Sequence, residues 1–429
     1  MEKKNFLFVS IEGLIGDIAW QVVKEGHEVK YFIEEVAERE VAEGFVPSVD
    51  NWEKEVEWAD VIVFDDVLGQ GKKAQKLRQQ GKFVIGGTPY TDQLEDDRAF
   101  GQEEMKKAGI LILPYRDFTS FDEAITFVRE NPGQYVIKPS GQAQNIKGLL
   151  FVGEEEDGKD VLQVLNDYKK AWSKKIPLFQ LQKRVSGVEV AVGAFFNGKE
   201  FIYPINVNFE HKKLFPGNLG PSTGEMGTSM FWSGPNKIFN MTLKKMEPKL
   251  VEEKYVGYID INCIVNNHGI YPLEFTSRFG YPTISIQHEG LAMPMSEFLY
   301  ELAHGNNFKL KVKSGFQIGV RIVVPPFPFK DKETFEVKSK DSVIFFKKPP
   351  EGVHIEDVKL VNGEWVVTGN SGVILIVCGT GQTMKQAQAQ VYHRIKNIII
   401  PHMYYRTDIG DRWFEDSDKL HTWGYLREL

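Results

Sequence analysis

Short hydrophobic runs alternate with amphipathic segments over roughly the first ninety residues. The runs have the length of strands and cover residues 6–10, 29–33, 61–64 and 83–85. Apolar strands separated by helix-length segments predict a parallel sheet of the doubly wound kind. Gly13 and Gly16 follow the first run, but the dinucleotide fingerprint G-x-G-x-x-G is absent. We therefore interpret them as an ordinary turn from strand to helix.

Capping residues mark the helices that come next. Asp92 and Glu95 have the spacing of a capping box, which predicts a helix that begins near Thr91 or Asp92 and stops at Gly109. Ser120 is then placed to cap a second helix. Residues 134–139 follow as a predicted strand, which carries Lys138 toward a glycine-bounded loop.

Strand patterns return in the middle of the chain. Residues 178–185 and 188–196 are predicted to pair around the turn at Ser186 and Gly187. Residues 257–265 and 271–275 are predicted to form a hairpin. From about residue 316 short strands and turns dominate, and the chain is expected to close with a helix that has capping-box residues at Thr383 and Gln386.

Composition narrows the class of protein. Hydrophobic residues make up 42% of the 429-residue chain and charged residues 26%, which is typical of globular domains. The formal net charge of -7 argues against a nucleic-acid partner bound by bulk electrostatics. The longest aliphatic stretches have the length of strands, so we expect no membrane span. Cys263 and Cys378 are interpreted as inert core thiols, which suits a cytoplasmic protein.

Oxygen-bearing side chains share one face of the predicted hairpin. Glu274 and Thr276 project to the same side of one strand, and Asp260 and Asn262 do so on the strand before it. Carboxylate and neutral oxygens are the ligands that magnesium prefers, so this face is a candidate metal site. The alternative is a solvated strand face held by ion pairs.

Lys138 stands at the end of a strand, just before the glycine-bounded loop. Phosphoryl transfer depends on positioning and on charge neutralisation by Lys, Arg and magnesium, so Lys138 is a candidate phosphate ligand. The Walker pattern is absent, which excludes a P-loop. The alternative is an ordinary surface lysine.

Four motifs together resemble the phosphoribosylamine–glycine ligase (glycinamide ribonucleotide synthetase) family of ATP-grasp enzymes. The family's H-K-R followed by G-P-N-T-G-G-M-G resembles H-K-K at 211–213 and G-P-S-T-G-E-M-G at 220–227. Its E-F-N-x-R-F-G resembles residues 274–280, and its Y-R-x-D-I-G resembles residues 405–410. The segment at 87–100 resembles the family's lead into its first ATP-binding helix, with Arg98 where the family has Lys. The similarity runs in patches from about residue 86 to 412.

The resemblance implies roles for particular residues. It implies that a mobile lid at 141–148, including Lys147, covers ATP. It implies Mg²⁺ (or Mn²⁺) binding by Glu274, with Thr276 where the family has Asn and Asp260 able to compensate. The remaining implied contacts are ATP phosphates at Lys138 and Arg98, adenine at Gln182 and Lys183, ribose at Glu189, the transferring phosphate or substrate at Arg278, and substrate at His211, Lys212, Pro221, Thr223 and Gly224.

The chain departs from the family at the N-terminal loops. The family's G-G-R-E-H-A is replaced by residues 11–16, and its G-P-E-x-P-L by residues 64–68, which bring in Asp65 and Asp66. Its G-D-P-E is Gly-Tyr-Pro-Thr at 280–283. Because the replaced loops help to bind the phosphoribosyl substrate in the family, they bear on the identity of the amine.

The resemblance and the strand pattern together predict an α/β protein, α+β overall, in three parts. These are a doubly wound parallel-sheet domain at 1–92, an ATP-grasp domain at 93–315 with a lid subdomain at about 118–183, and a mixed α/β domain at 316–429. The expected function is ATP-dependent ligation of glycine to 5-phosphoribosylamine through an acyl phosphate, in purine biosynthesis. The alternatives are an ATP-grasp ligase for another amine and carboxylate, or a degenerate nucleotide-binding protein.

Overall fold

The computed structural model describes residues 2–140, 143 and 149–427. The chain begins with a four-stranded parallel sheet in the order β2-β1-β3-β4. Phe6 and Phe8 of its central strand pack into one core cluster, while Leu7 and Val9 pack into another. Burial of both faces explains why these strands are continuous apolar runs. The elements of this part are β1 (Asn5–Ser10), α1 (Gly16–Lys24), β2 (Glu28–Ile33), β3 (Val61–Phe64), α2 (Gln70–Gln79) and β4 (Val84–Ile85).

The next segment forms two helices, α3 (Pro89–Asp96) and α4 (Arg98–Lys107). The predicted single helix from Thr91 or Asp92 is therefore wrong at its start. Thr88 caps α3 in a capping box with Thr91, and Asp97 breaks the run by capping α4. This leaves the carboxylate of Glu95 free to interact elsewhere, as described below.

A second sheet is antiparallel, in the order β5-β8-β6-β7. Two helices pack on it through a separate apolar cluster that includes Val128 and Leu165. Ser120 caps the first of these helices by accepting from the backbone N–H of Glu123, as predicted. The elements are β5 (Tyr115–Phe118), α5 (Phe121–Glu130), β6 (Tyr135–Pro139), β7 (Phe151–Val152), α6 (Lys159–Ala171) and β8 (Phe179–Lys183).

The remaining chain builds an eight-stranded sheet in the order β15-β14-β9-β10-β13-β16-β21-β18, with helices and small hairpins around it. The strands are β9 (Val188–Asn197), β10 (Phe201–Glu210), β11 (Lys213–Phe215), β12 (Leu219–Ser222), β13 (Gly227–Ser233), β14 (Val256–Asn266), β15 (Gly269–Thr276), β16 (Phe316–Val323), β17 (Phe345–Phe346), β18 (Val353–Ile355), β19 (Val358–Val361), β20 (Glu364–Val367), β21 (Val373–Gly381) and β22 (Ile398–Ile399). The helices are α7 (Lys237–Met241), α8 (Glu247–Glu252), α9 (Thr283–Gly290), α10 (Met295–Ala303), α11 (Lys332–Lys338), α12 (Met384–Ile395) and α13 (Trp413–Thr422). Single 3-10 turns lie at Val36–Glu38, Trp52–Glu55, Pro216–Asn218 and Leu243–Met246.

Two predictions about the later strands and the last helix need correction. The predicted pairing across Ser186 and Gly187 is wrong, because β8 pairs with β5 and β6 whereas β9 pairs with β10 and β14. That turn links two sheets. The capping box at Thr383 and Gln386 is confirmed for α12, but α13 follows it and closes the described chain.

The β14–β15 hairpin is confirmed, and the sheet that contains it runs on into the C-terminal third. β16 pairs with β13, and β21 pairs with β16. The predicted boundary at residues 315 and 316 therefore falls just before a strand of a continuous sheet, and the domain limits stay predictions. Within the described ranges, no helix is both long and apolar enough to cross a bilayer.

Candidate active site

Polar side chains line up at one edge of the large sheet. In the β14–β15 hairpin Asp260 lies opposite Thr276, and Asn262 lies opposite Glu274. Directly opposed residues project to the same face, so all four share one face, as the sequence pattern predicted. The hydroxyl of Thr276 hydrogen-bonds the carboxyl group of Asp260. Burial and the nearby Glu210 carboxylate raise the pKa of Asp260 to about 8.

Lys212 draws three carboxylates together over this face. Its Nζ lies 2.9 Å from Glu189 Oε1, 3.4 Å from Glu274 Oε1 and 3.5 Å from Glu210 Oε2. Although burial disfavours the ammonium, the three carboxylates raise the pKa of Lys212 well above its usual value. Lys212 in turn lowers the pKa of Glu274, with burial opposing and Lys138 and Arg98 assisting. Burial raises the pKa of Glu210, whereas the charge of Lys212 outweighs burial at Glu189 and lowers the pKa of that carboxyl group.

Lys138 and Arg98 approach the same carboxylate from the other side of the cleft. Lys138 lies in β6 of the second sheet and is 7% exposed. Arg98, the first residue of α4, donates from Nη1 to the carbonyl oxygen of Pro139 at 2.8 Å. Burial and the positive charge of Arg98 lower the pKa of Lys138 to about 8, against the opposing effect of Glu274. Among the described residues Lys138 has no ion-pair partner within 4.0 Å, so its charge is available to an anion.

Arg278 sits among acids where the N-terminal sheet meets the hairpin. Its guanidinium lies 3.1 Å from Glu95 Oε1 and 3.9 Å from Asp66 Oδ1. Asp65 is buried beside them, and burial together with the charge of Asp66 raises the pKa of Asp65 to about 8. Arg278 also donates from Nη1 to the carbonyl oxygen of Phe279. Arg278 is thus held in place, and the nearby carboxylates largely balance its positive charge.

The small β11–β12 hairpin folds back onto the Lys212 cluster. Both the backbone N–H and the hydroxyl of Thr223 donate to the carbonyl oxygen of Lys212, at 2.8 and 2.9 Å. Pro221 lies in β12 and Gly224 follows Thr223 toward Arg321. His211 is buried beside this turn, and burial with nearby Arg412 and Arg406 lowers its pKa to about 3. His211 is therefore neutral under ordinary conditions.

The second sheet presents amides toward Lys138. Lys138 lies opposite Gln180 and Val136 lies opposite Gln182, so the two glutamines share the face of Lys138. Lys183 lies opposite Tyr135 and projects to the other face. The side chain of Gln180 exchanges hydrogen bonds with Gln102 of α4 at 3.0 and 3.1 Å. Of the two predicted adenine contacts, only Gln182 has its side chain on the face toward the cleft.

Two further sets of residues bear on the site: the predicted lid, and two carboxylates that were not predicted. The predicted lid at 141–148, including Lys147, lies outside the described residues apart from Ala143. The sequence interpretation missed two carboxylates, Glu210 and Glu95. Glu210 directly precedes the basic motif at 211–213, which was the available signal. Glu95 was assigned to a helix cap, whereas it accepts from the backbone N–H of Ser277 and pairs with Arg278.

This arrangement suits phosphate and metal chemistry. The buried Lys138 and the partly buried Arg98 face a row of carboxylate, amide and hydroxyl oxygens on the β14–β15 hairpin. Cations neutralise phosphate oxygens, and an oxygen-rich strand face can hold the accompanying magnesium. Lys138 comes from β6, Arg98 from α4 and the oxygens from the β14–β15 hairpin, so the fold places them together only in the cleft.

Family models match this chain in two segments. The ATP-grasp (A) domain of phosphoribosylglycinamide synthetase matches residues 96–284, and the C domain of the same protein matches residues 319–412. Phosphoribosylamine–glycine ligase of Streptococcus pneumoniae is 24% identical over 362 residues, covering 81% of this chain and 82% of its own. The enzyme of the same name from Lactococcus lactis is 25% identical over 340 residues, covering 77% and 78%.

Solved structures show the same fold. The phosphoribosylamine–glycine ligase of Thermotoga maritima matches with a TM-score of 0.69 at 21% identity, covering 94% of this chain and 100% of its own. N5-carboxyaminoimidazole ribonucleotide synthetase from the same organism matches with a TM-score of 0.59 at 14% identity, covering 93% and 99%. The predicted ATP-grasp fold with an N-terminal parallel sheet is confirmed.

Proposed function

Because this chain belongs to the phosphoribosylglycinamide synthetase family, we propose that it uses ATP to join glycine to 5-phosphoribosylamine, as a step of purine biosynthesis. The observation that carries the proposal is the cleft in which Lys138 and Arg98 face Glu274. Those three side chains supply charge of both signs where ATP and its metal must meet. The products are glycinamide ribonucleotide, ADP and phosphate.

Lys138 and Arg98 are the residues that would hold the ATP phosphates. Both are cationic, and Arg98 is fixed by its bond to the Pro139 carbonyl oxygen. Gln182 on the same face and Glu189 beside Lys212 are placed for the adenine and the ribose. A buried cation that no carboxylate contacts directly binds phosphate strongly because little water screens it.

Magnesium fits the oxygen face of the hairpin. Glu274 would be the principal ligand, with Thr276, Asp260 and Asn262 on the same face. One Oδ atom of Asp260 is buried and has no hydrogen-bond partner among the described residues, so an oxygen is available there. Asp260 with a pKa of about 8 is protonated in the free protein, and a bound cation would favour its ionised form. When bound, the metal neutralises charge on the transferring phosphate.

The reaction consists of two displacements. A carboxylate oxygen of glycine attacks the terminal phosphorus of ATP, ADP leaves, and an acyl phosphate forms. The amine nitrogen then attacks the carbonyl carbon, phosphate leaves with the oxygen that glycine supplied, and the nitrogen loses a proton. Lys138 and Arg98 stabilise the charge of the first step, and Arg278 with Lys212 lies where substrate and the acyl phosphate would sit.

One observation favours a different amine. Glu95 pairs with Arg278 and Asp66 lies near it, so these carboxylates already balance the charge of Arg278 and this side of the cleft offers little net positive charge to a phosphorylated amine. An ATP-grasp ligase for an unphosphorylated amine is therefore the second candidate. The broader statement, a ligase that joins a carboxylate to an amine with ATP, is common to both. A cytoplasmic location is also proposed, supported by two buried free thiols.

The test is a product assay. The protein is incubated with Mg-ATP, glycine and freshly generated phosphoribosylamine, and the products are identified by mass. We expect glycinamide ribonucleotide together with ADP. Absence of that product, with ADP released in the presence of another amine from a panel, would reject the leading substrate and support the second candidate. No ADP release with any amine would reject both.

A further inference from the structure

Asp17, His288 and His354 meet at the opposite edge of the large sheet from Glu274. They come from α1, α9 and β18, and one potential ligand atom of each lies within 4.8 Å of the others. β18 and β15 are the two edge strands of the sheet, seven strand spacings of about 4.8 Å apart. The cluster is therefore on the order of 30 Å from the cleft, measured along the sheet.

Two ring nitrogens in this cluster lack hydrogen-bond partners. Within the part of the chain that the structure describes, His354 Nε2 and His288 Nδ1 are buried atoms that no hydrogen-bond partner satisfies by distance and angle, although the buried Cys378 thiol is close enough to interact with His354. His354 is 4% exposed, and the two rings stand edge to face with centroids 5.3 Å apart. A buried polar atom without a partner is costly and uncommon. The two nitrogens belong to rings in contact with each other, so both are candidates to bind one ligand.

The surroundings of His354 match those of a metal-binding histidine. Its Nδ1 lies 2.7 Å from Asp17 Oδ2, and Asp17 Oδ1 accepts from the backbone N–H of Ile355 at 3.1 Å. A carboxylate that bonds one ring nitrogen fixes the ring and leaves the other nitrogen for a metal. That other nitrogen, Nε2, has Glu289 Oε2 at 3.9 Å, and the second oxygen of Glu289 is held by Arg394.

We propose that His288 and His354 bind one late first-row divalent ion, Zn²⁺ by preference, with Glu289 as the nearest oxygen ligand and Asp17 as the residue that orients His354. Two imidazole nitrogens with a carboxylate oxygen form a donor set that suits Zn²⁺ and disfavours Mg²⁺. The site is therefore distinct in chemistry and in place from the magnesium face at Glu274.

A bound ion at this site would stabilise the folded state. Its ligands join α9 to the edge strand β18, and Asp17 connects His354 to α1 of the N-terminal sheet, so the site links elements that lie far apart in sequence. An ion that binds the folded state and not the unfolded chain stabilises the folded state by mass action. None of its ligands lies in the cleft, so removal of the ion should lower stability more than it lowers turnover.

The first test is metal content. Protein without a histidine tag is dialysed against Zn²⁺ in excess Mg²⁺, freed of loose metal and analysed by plasma mass spectrometry. We expect about one zinc ion per chain, as for a closed protein site. His288→Ala and His354→Gln should each lose most of it, while His268→Ala, on the exposed β14–β15 turn, should retain it. Wild-type protein without zinc, or both variants with undiminished zinc, would overturn the proposal.

The second test is thermal unfolding with a chelator that binds zinc but hardly binds magnesium. The melting temperature of the wild type and of His268→Ala should fall on chelation, and that of His288→Ala should not change further. His288 is only partly buried, so this variant is the one expected to fold. An identical response of all three proteins would contradict the assignment.

Discussion

The two sides of the cleft are built with similar residues but opposite charge balance. On the side of the second sheet, Lys138 and Arg98 project toward Glu274, and Lys138 has no ion-pair partner among the described residues. On the side of the N-terminal sheet, Arg278 is paired with Glu95 and lies near Asp66. The side of the second sheet therefore has positive charge available to an anion. On the side of the N-terminal sheet, carboxylates already balance the charge of Arg278.

This difference in charge distinguishes the ATP side of the cleft, which is common to the fold, from the amine side, which depends on the substrate. ATP is common to the ATP-grasp fold, and the side that would hold it has the buried Lys138 and the partly buried Arg98, the cations that phosphates need. According to the family resemblance, the amine enters at the N-terminal side. There the acidic side chains beside Arg278 outnumber that one arginine. We infer that the nucleotide half of the site is retained while the amine half has diverged.

The largest effect is expected for Glu274→Gln. Loss of this carboxylate removes the proposed principal magnesium ligand on the hairpin face, and charge stabilisation matters most in the transition state. Turnover should fall by about 10²–10³-fold with a much smaller change in ATP affinity. Steady-state kinetics and calorimetric ATP titration measure the two quantities. Glu252→Gln, on an exposed helix, is the matched control, and equal losses in both variants would remove Glu274 from the site.

The second largest effect is expected for Lys138→Ala. It removes one charged donor to phosphate, which costs about 1.5–3 kcal/mol, or roughly 10–150-fold in ATP dissociation constant. Circular dichroism should show an unchanged fold. The matched control is Lys159→Ala on the surface of the same sheet domain, which should bind ATP as the wild type does. If Lys138→Ala also binds ATP normally, the nucleotide side is assigned wrongly.

The pH dependence of ATP binding should be a smaller effect than the loss caused by Lys138→Ala. Burial and Arg98 lower the pKa of Lys138 to about 8, so its ammonium is present below that pH and is lost above it. Affinity should therefore be flat from pH 6.5 to 7.5 and then fall, by at most about tenfold per pH unit. In Lys138→Arg the fall should disappear, because arginine stays charged throughout this range. A fall that persists in Lys138→Arg would assign it to another group.

The smallest change is expected for Asp66→Asn, which probes the acidic side. Loss of one partly exposed charge near Arg278 is worth about 0.2–1 kcal/mol, so the KM for phosphoribosylamine should drop by no more than about fivefold. KM values for ATP and glycine should not change. A rise in the KM for the amine would mean that Asp66 contacts the amine or positions Arg278, and the contrast between the two sides would need revision.

The sequence predicted the elements whose signals are local. The capping box at Thr383 spans three residues and the β14–β15 hairpin closes over the short turn at 266–269, and both are present. The pairing across Ser186 and Gly187 failed because two adjacent strands can join different sheets, and only tertiary packing decides between them. Turn residues mark a change of direction and do not identify the partner strand.

The candidate site was predictable where one motif carried several functional residues. Lys212 and Glu274 lie in such motifs, and the structure brings them to 3.4 Å. Glu95 was misassigned because a carboxylate three residues after an acid fits a helix cap as well as it fits an ion pair. Its true partner, Arg278, is 183 residues away, and no local pattern encodes that distance.

The central claim is that a carboxylate is activated by phosphoryl transfer in this cleft and is then captured by an amine. The most direct measurement uses glycine labelled with ¹⁸O in both carboxylate oxygens, with Mg-ATP and phosphoribosylamine. Mass spectrometry of the released phosphate should show one ¹⁸O atom per product formed, with the other retained in the amide. Product formed with unlabelled phosphate would contradict the claim.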